Sequence, residues 1–143
     1  PILHIPVEAV VLPLALLGLR TKWRIGSSFY IASLFGTAMT DLVIFCTGIM
    51  DQWMAVINAE PDVAPLILQQ TSQNLINFKP LSIIFIAGLI LWLISKFLTK
   101  YTSADSLNKK SLLVSSYVLQ TTLIVDGIFV LLAIIQPTFS GLV

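Results

Sequence analysis

Four stretches of the chain are almost free of charge, and the charges gather between them. Ile2 to Leu19 is apolar apart from His4 and Glu8, and Ser27 to Met50 holds no Lys or Arg. Leu81 to Leu98 admits Lys96 near its end, and Leu112 to Ile135 stops at Gln136-Pro137. At ~1.5 Å per residue the second stretch is longer than a ~30 Å hydrocarbon core. The pattern predicts an all-α integral membrane protein of about four transmembrane helices, spanning approximately 2–19, 27–50, 81–98 and 112–135 in a single domain over 1–143. Pro6 and Pro13 remove backbone donors and bend the first helix, so whether 2–19 crosses fully or lies in the interface is left open. Pro80 sits at a favourable first-turn position of the third helix, and Lys96 can snorkel from its far end.

The long loop from Asp51 to Pro80 has a weaker pattern of its own. Asp62 is placed to cap a short helix with Pro65 in its first turn. Ala64, Ile67, Leu68, Leu75 and Phe78 then fall near one face, with Gln69, Gln70, Gln73 and Asn74 facing water. A helix along the membrane surface is expected, the alternative being a solvated loop packed over the bundle.

A faint internal repeat runs through the polar positions. Thr21-Lys22-Trp23 is echoed by Thr99-Lys100-Tyr101, and Thr37 with Asp41 by Thr122 with Asp126. The two carboxyls would stand at matching depths in the second and fourth helices. This suggests two helix hairpins related by a pseudo-two-fold axis along the membrane normal.

Charge then orients the spans. Arg20, Lys22 and Arg24 lie between the first two, and Lys96, Lys100, Lys109 and Lys110 lie at or after the end of the third. The long loop has only Lys79 beside Asp51, Glu60 and Asp62. If the first segment crosses, all the basic residues but Lys79 share one face, which the positive-inside rule makes cytoplasmic or stromal. Both termini and the long loop are expected on the other, lumenal side. Trp23, Trp53 and Tyr101 fit as interfacial aromatics.

Composition closes off other classes. The chain is 57% hydrophobic and 10% charged, against a soluble norm of roughly 25% charged, and its mean hydropathy is +0.94. That leaves no polar allowance for a separate soluble catalytic module. Eight Lys+Arg against seven Asp+Glu, without a clustered basic face, give no nucleic-acid footprint. Cys46 and His4, the one thiol and the one imidazole, cannot build a structural metal site or an internal disulfide. The N-terminal stretch lacks a basic n-region and a small-residue cleavage site, so it is not expected to be a removed signal peptide.

Asp41 and Asp126 are the residues most suggestive of chemistry, because a carboxyl deep in a bilayer costs about 2.5–3.5 kcal/mol on insertion scales. Ser33, Thr37 and Thr40 share a helical face with Asp41, as Ser115 and Thr122 do with Asp126. Two hydroxyl-flanked carboxyls on facing helices would serve as a proton or cation relay. The plainer reading holds each Asp neutral or hydrogen-bonded as glue between helices, and no third acidic residue, basic counter-ion or broken helix marks a pathway. Cys46 is read as a small packing residue. His4 and Glu8, spaced i, i+4, would share a face near one bilayer edge, either as a hydrogen-bonded pair or as ligands to a tetrapyrrole metal. No G-x-S-x-G elbow or Gly-rich phosphate loop is present, and no catalytic residue is assigned.

Leu19-Arg-Thr-Lys-Trp-Arg24 and the run Gly26 to Leu42 resemble small uncharacterised membrane proteins of cyanobacterial thylakoids. The resemblance covers the first two segments well and the remainder loosely. It implies a setting among photosynthetic complexes, where accessory subunits of photosystem I have this size and hydrophobicity. Chlorophyll, carotenoid or lipid would then lie at the helix surface, with His4, Glu8 and Gln120 as candidate pigment ligands. The expected function is a non-enzymatic accessory or assembly subunit of a larger membrane complex, whose partners are membrane lipid and other integral subunits. The alternative is a small proton- or cation-coupled transporter using Asp41 and Asp126.

Overall fold

The computed structural model describes residues 4–60, 62–100 and 107–135, and among these every regular element is a helix. In chain order they are α1 (His4–Gly18), α2 (Arg24–Thr47), α3 (Met50–Asn58), α4 (Ala64–Leu75), α5 (Phe78–Lys100) and α6 (Leu107–Ile135). Among the described residues three regions are long and apolar enough to cross a membrane, Arg24–Thr47, Phe78–Lys100 and Asn108–Leu132. The chain is therefore a multi-pass membrane protein of all-α class. α1 has 15 residues, which at ~1.5 Å per residue is roughly 22 Å and short of a ~30 Å hydrocarbon core. The stop expected at Gln136-Pro137 and the interfacial Tyr101 lie outside the described residues.

The second apolar stretch, expected as one helix over 27–50, stops at Thr47, and Met50 already opens the next helix, α3. Gly48 stands at φ +74°, a left-handed conformation that glycine adopts without the Cβ penalty of other residues. The break ends α2 at Thr47, whose hydroxyl turns back onto the carbonyls of Val43 and Ile44 at 2.8 and 3.0 Å. α2 also begins earlier than expected, at Arg24. Thr21 accounts for that: it donates to the Gly18 carbonyl at 2.9 Å and accepts from the Trp23 amide at 3.1 Å, closing α1 and opening α2 within one tight turn.

The long loop folds as the α3–α4 pair. α4 matches the predicted surface helix in part: Ala64, Leu68 and Leu75 are buried and Gln69, Gln70, Gln73 and Asn74 are exposed. Two expectations are corrected. Asp62 does not cap α4, because the N-cap residue is Val63 with no side-chain cap bond, while the Val63 and Ala64 amides bond to the Glu60 carbonyl. Phe78 does not join the buried face, because it opens α5 and is 88% exposed. The face is completed instead by Thr71 and Ser72, whose hydroxyls bond to the carbonyls of Ile67 and Gln69 and so can be buried beside carbon. Val56 of α3 packs with Ala64 and Leu68, flanked by Ala59 and Ile67.

The chain forms two compact units. One comprises Pro1–Thr37 and Leu91–Thr122, the other Ala38–Ile90 and Leu123–Val143. Charge divides sharply between them. The first contains Arg20, Lys22, Arg24, Lys96, Lys100, Lys109 and Lys110 with only Glu8 and Asp105, whereas the second contains Asp41, Asp51, Glu60, Asp62 and Asp126 with only Lys79.

In the first unit α2 and α6 run parallel. An Arg24 guanidinium nitrogen donates to Asn108 Oδ1 at their first turns, Ser115 donates to the Ser28 carbonyl at 3.3 Å, and Gly36 lies against Thr122. Matching advances along the two helices fix the direction. The short 101–106 link makes α5 the antiparallel neighbour of α6. On the outer side of α5, Phe85, Ile86, Leu89, Ile90 and Trp92 are exposed, which is tolerable only beside lipid or another apolar surface.

Candidate functional site

Polar side chains inside the apolar helices are the candidates for function, and the structure sorts them by what they touch. In the second unit Thr40 of α2 donates its hydroxyl to Asp126 Oδ2 of α6 at 2.6 Å. The distance is at the short end for O–H···O and typical of a carboxylate acceptor. Asp126 is half-buried. A carboxyl in this position is stabilised by a donor that the facing helix supplies, which is the arrangement expected for interhelical glue.

Asp41 is different. It follows Thr40 by one residue, so its side chain points about 100° further round α2, and it is exposed. Among the described residues it has neither a hydrogen bond nor an ion pair. The expected pair of carboxyls on facing helices is thus replaced by one carboxyl facing α2 and one facing outward. Their proposed repeat equivalents diverge in the same way. Thr122 is half-buried against Gly36 and donates to the Val118 carbonyl at 3.1 Å, while Thr37 is exposed and donates to the Ser33 carbonyl at 3.2 Å.

A second polar group ties α5 to α6 within the first unit. Ser95 and Ser116 are both 0% exposed, with their hydroxyl oxygens 2.8 Å apart. The Ser116 hydroxyl reaches the Ser95 carbonyl at 3.0 Å, and Ser95 reaches the Ser116 carbonyl at 3.3 Å. Gln120 completes the cluster by donating its amide to Ser95 Oγ at 2.8 Å and Ser116 Oγ at 3.2 Å. Small residues at this crossing let the backbones approach, and the bonds satisfy the hydroxyls of Ser95 and Ser116, whereas the buried Ser111 hydroxyl of α6 has no partner among the described residues.

This cluster bears on the candidate pigment ligands. Gln120 Nε2 is committed to two serines and holds α5 against α6, while Oε1, the atom a pigment metal would take, has no part in these bonds. His4 and Glu8 belong to α1, but their side chains lie outside the described residues, as does that of Trp53. Cys46 is exposed. No group of three or more His, Cys, Asp or Glu side chains able to hold a metal occurs among the described residues.

Ala32 and Gly36, spaced as a small-xxx-small pair, are both buried. A Cβ added at Gly36 would stand 2.8 Å from Thr122 Oγ1 and 3.1 Å from its Cγ2, so Gly36 serves contact with α6. The serine pair was overlooked because a Ser in an apolar span is compatible with either a lipid-facing or a helix-facing position. The available signal was their joint placement, one late in the third span and one early in the fourth, where an antiparallel hairpin brings them level.

The family model described as "Protein of unknown function (DUF3120)" matches residues 1–134, and the chain belongs to that family. No curated protein and no solved structure matches it.

Proposed function

We propose that this chain is a non-enzymatic accessory or assembly subunit of a larger integral-membrane complex. The observation that carries the reading is the use made of the intramembrane polar groups. Asp126, Ser95, Ser116, Gln120 and Ser115 are all engaged in bonds between helices. They act as fasteners, and a bundle fastened in this way presents large apolar side chains such as Phe45, Phe85 and Leu131 outward.

In this reading the chain crosses the bilayer four times, the whole apolar segment 2–19 and not α1 alone making the first crossing, with the basic ends cytoplasmic or stromal and both termini on the lumenal side. The clustering of Arg20, Lys22 and Arg24 and of Lys96, Lys100, Lys109 and Lys110 at the same ends of the spans supports that orientation through the positive-inside rule. The photosynthetic setting, a thylakoid complex of the photosystem I kind, rests on the resemblance of Leu19 to Leu42. Lipid, carotenoid or chlorophyll would lie against the exposed apolar flanks.

The test is migration of the affinity-tagged chain on a native gel after gentle solubilisation. Co-migration with a large assembly, pigmented in the photosynthetic case, is the expected result. A free monomer or small homo-oligomer without pigment would refute the proposal.

A further inference from the structure

Asp41 stands in the membrane-crossing part of α2, six residues before the helix ends at Thr47, which is about 9 Å of helix. The residues that follow it are apolar, and Leu42 and Phe45 are exposed beside it. Ala38, Asp41, Leu42 and Phe45 fall at i, i+3, i+4 and i+7, one stripe of a helix, and all four are exposed. They also lie in one compact unit. A carboxyl on such a stripe faces hydrocarbon unless something covers it. Among the described residues it meets no counter-ion when ionised and no acceptor when protonated, so lipid is the wrong neighbour in either state.

The chain's own fold shows how such a group is accommodated. Asp126 receives the hydroxyl of Thr40, but Thr40 is thereby turned toward α6 and away from the Asp41 stripe. The single basic residue of the same unit, Lys79, stands exposed in the first turn of α5. No other Lys or Arg occurs in α2 after Arg24, which is 17 residues and roughly 25 Å of helix away from Asp41. Lys79 forms no ion pair with Asp41 among the described residues, so the carboxyl is left for a cation of another polypeptide.

We infer that the Ala38–Asp41–Leu42–Phe45 face of α2 docks a transmembrane helix of a different polypeptide, one that carries a Lys or Arg within its apolar span at the depth of Asp41. Ala38 leaves room for close approach, Leu42 and Phe45 provide apolar contact, and the carboxylate meets the cation in a setting where solvent does not screen the pair. This inference deepens the accessory-subunit reading and rests on it, naming the partner's chemistry.

The experiment places a photo-reactive amino acid at Ala38 or at Phe45 of the full chain in its own membranes, with a third probe at Ile124, exposed on α6, as a control. The expected product at the first two positions, absent at Ile124, is one cross-linked polypeptide distinct from this chain, with a Lys or Arg in the cross-linked helix. Its yield should fall at least ten-fold in Asp41→Leu and Asp41→Asn and persist in Asp41→Glu. Exchanging charges, Asp41→Lys with an acidic residue at the partner's basic position, should restore it. Cross-links only to lipid or to a second copy, a partner helix without a basic residue, or a yield unchanged in Asp41→Leu would each overturn the inference. So would loss of both Asp41→Asn and Asp41→Leu chains from the membrane, since a carboxyl required for the chain's own fold is not a docking group. Co-migration with a complex on a native gel, without a cross-link from Ala38 or Phe45, sinks this inference alone and leaves the accessory-subunit reading standing.

Discussion

The hydroxyl of Thr40 lies 2.6 Å from Asp126 Oδ2, a bond between α2 and α6 that gives one intramembrane carboxyl a donor while the adjacent Asp41 has none among the described residues. Removing the donor in Thr40→Val should destabilise the fold by about 0.6–1.7 kcal/mol, the range measured for interhelical hydrogen bonds in membranes. Asp126→Asn, which keeps size and an acceptor, should lose less than Asp126→Leu. Reversible unfolding in mixed micelles measures these differences. Additive losses in Thr40→Val/Asp126→Leu would show that the two side chains do not act as a pair.

Gly36 supports the same helix pair by being small. Gly36→Leu should misfold and be degraded, because even a Cβ meets Thr122 at 2.8 Å and overpacking costs about 1–3 kcal/mol. Thr122→Ala removes the atoms that collide and should recover part of the yield of Gly36→Ala. Membrane-fraction abundance and resistance to limited proteolysis report the outcome. A stable, inserted Gly36→Leu chain would mean that α2 and α6 are not in contact there.

The Ser95–Ser116–Gln120 cluster should behave as one fastener. Ser116→Leu is expected to push α5 off α6 and abolish folding, since Ser116 is completely enclosed. Gln120→Leu should cost about 0.6–1.7 kcal/mol. Combined with Ser95→Ala, the loss should be smaller than the two single losses added, because both substitutions remove one shared bond. Unfolding titrations of the two single variants and the double variant decide this.

Orientation has a direct chemical test. With Cys46 replaced by Ala, single cysteines at Gln70 on α4 and Asn108 at the start of α6, both exposed, should react with an impermeant thiol reagent from opposite faces of sealed vesicles. Reaction of both positions from one face would contradict the orientation derived from the Lys and Arg distribution.

Sequence alone determined the class of this protein. Long uncharged runs cannot be hidden in a soluble fold of this size, and the backbone in hydrocarbon must satisfy its own hydrogen bonds, so α2, α5 and α6 were legible as helices before any contact was known. Gly48 had no such legibility, because a glycine inside an apolar run gives no sign that its φ will be positive, so the sequence predicts a helix on to Met50 and a loop where α3 stands. The polar residues show the limit most clearly. Asp41 and Asp126 look equivalent in the sequence, at matching distances along two similar helices, yet one faces Thr40 and the other faces outward. A helix that is apolar all round carries no periodic signal of which side it buries. In water the hydrophobic effect writes that side into the sequence. In lipid it does not, and only the packing of α2 on α6 through Gly36 and Thr122, and of α5 on α6 through Ser95 and Ser116, decided which polar groups would be fasteners and which would face outward.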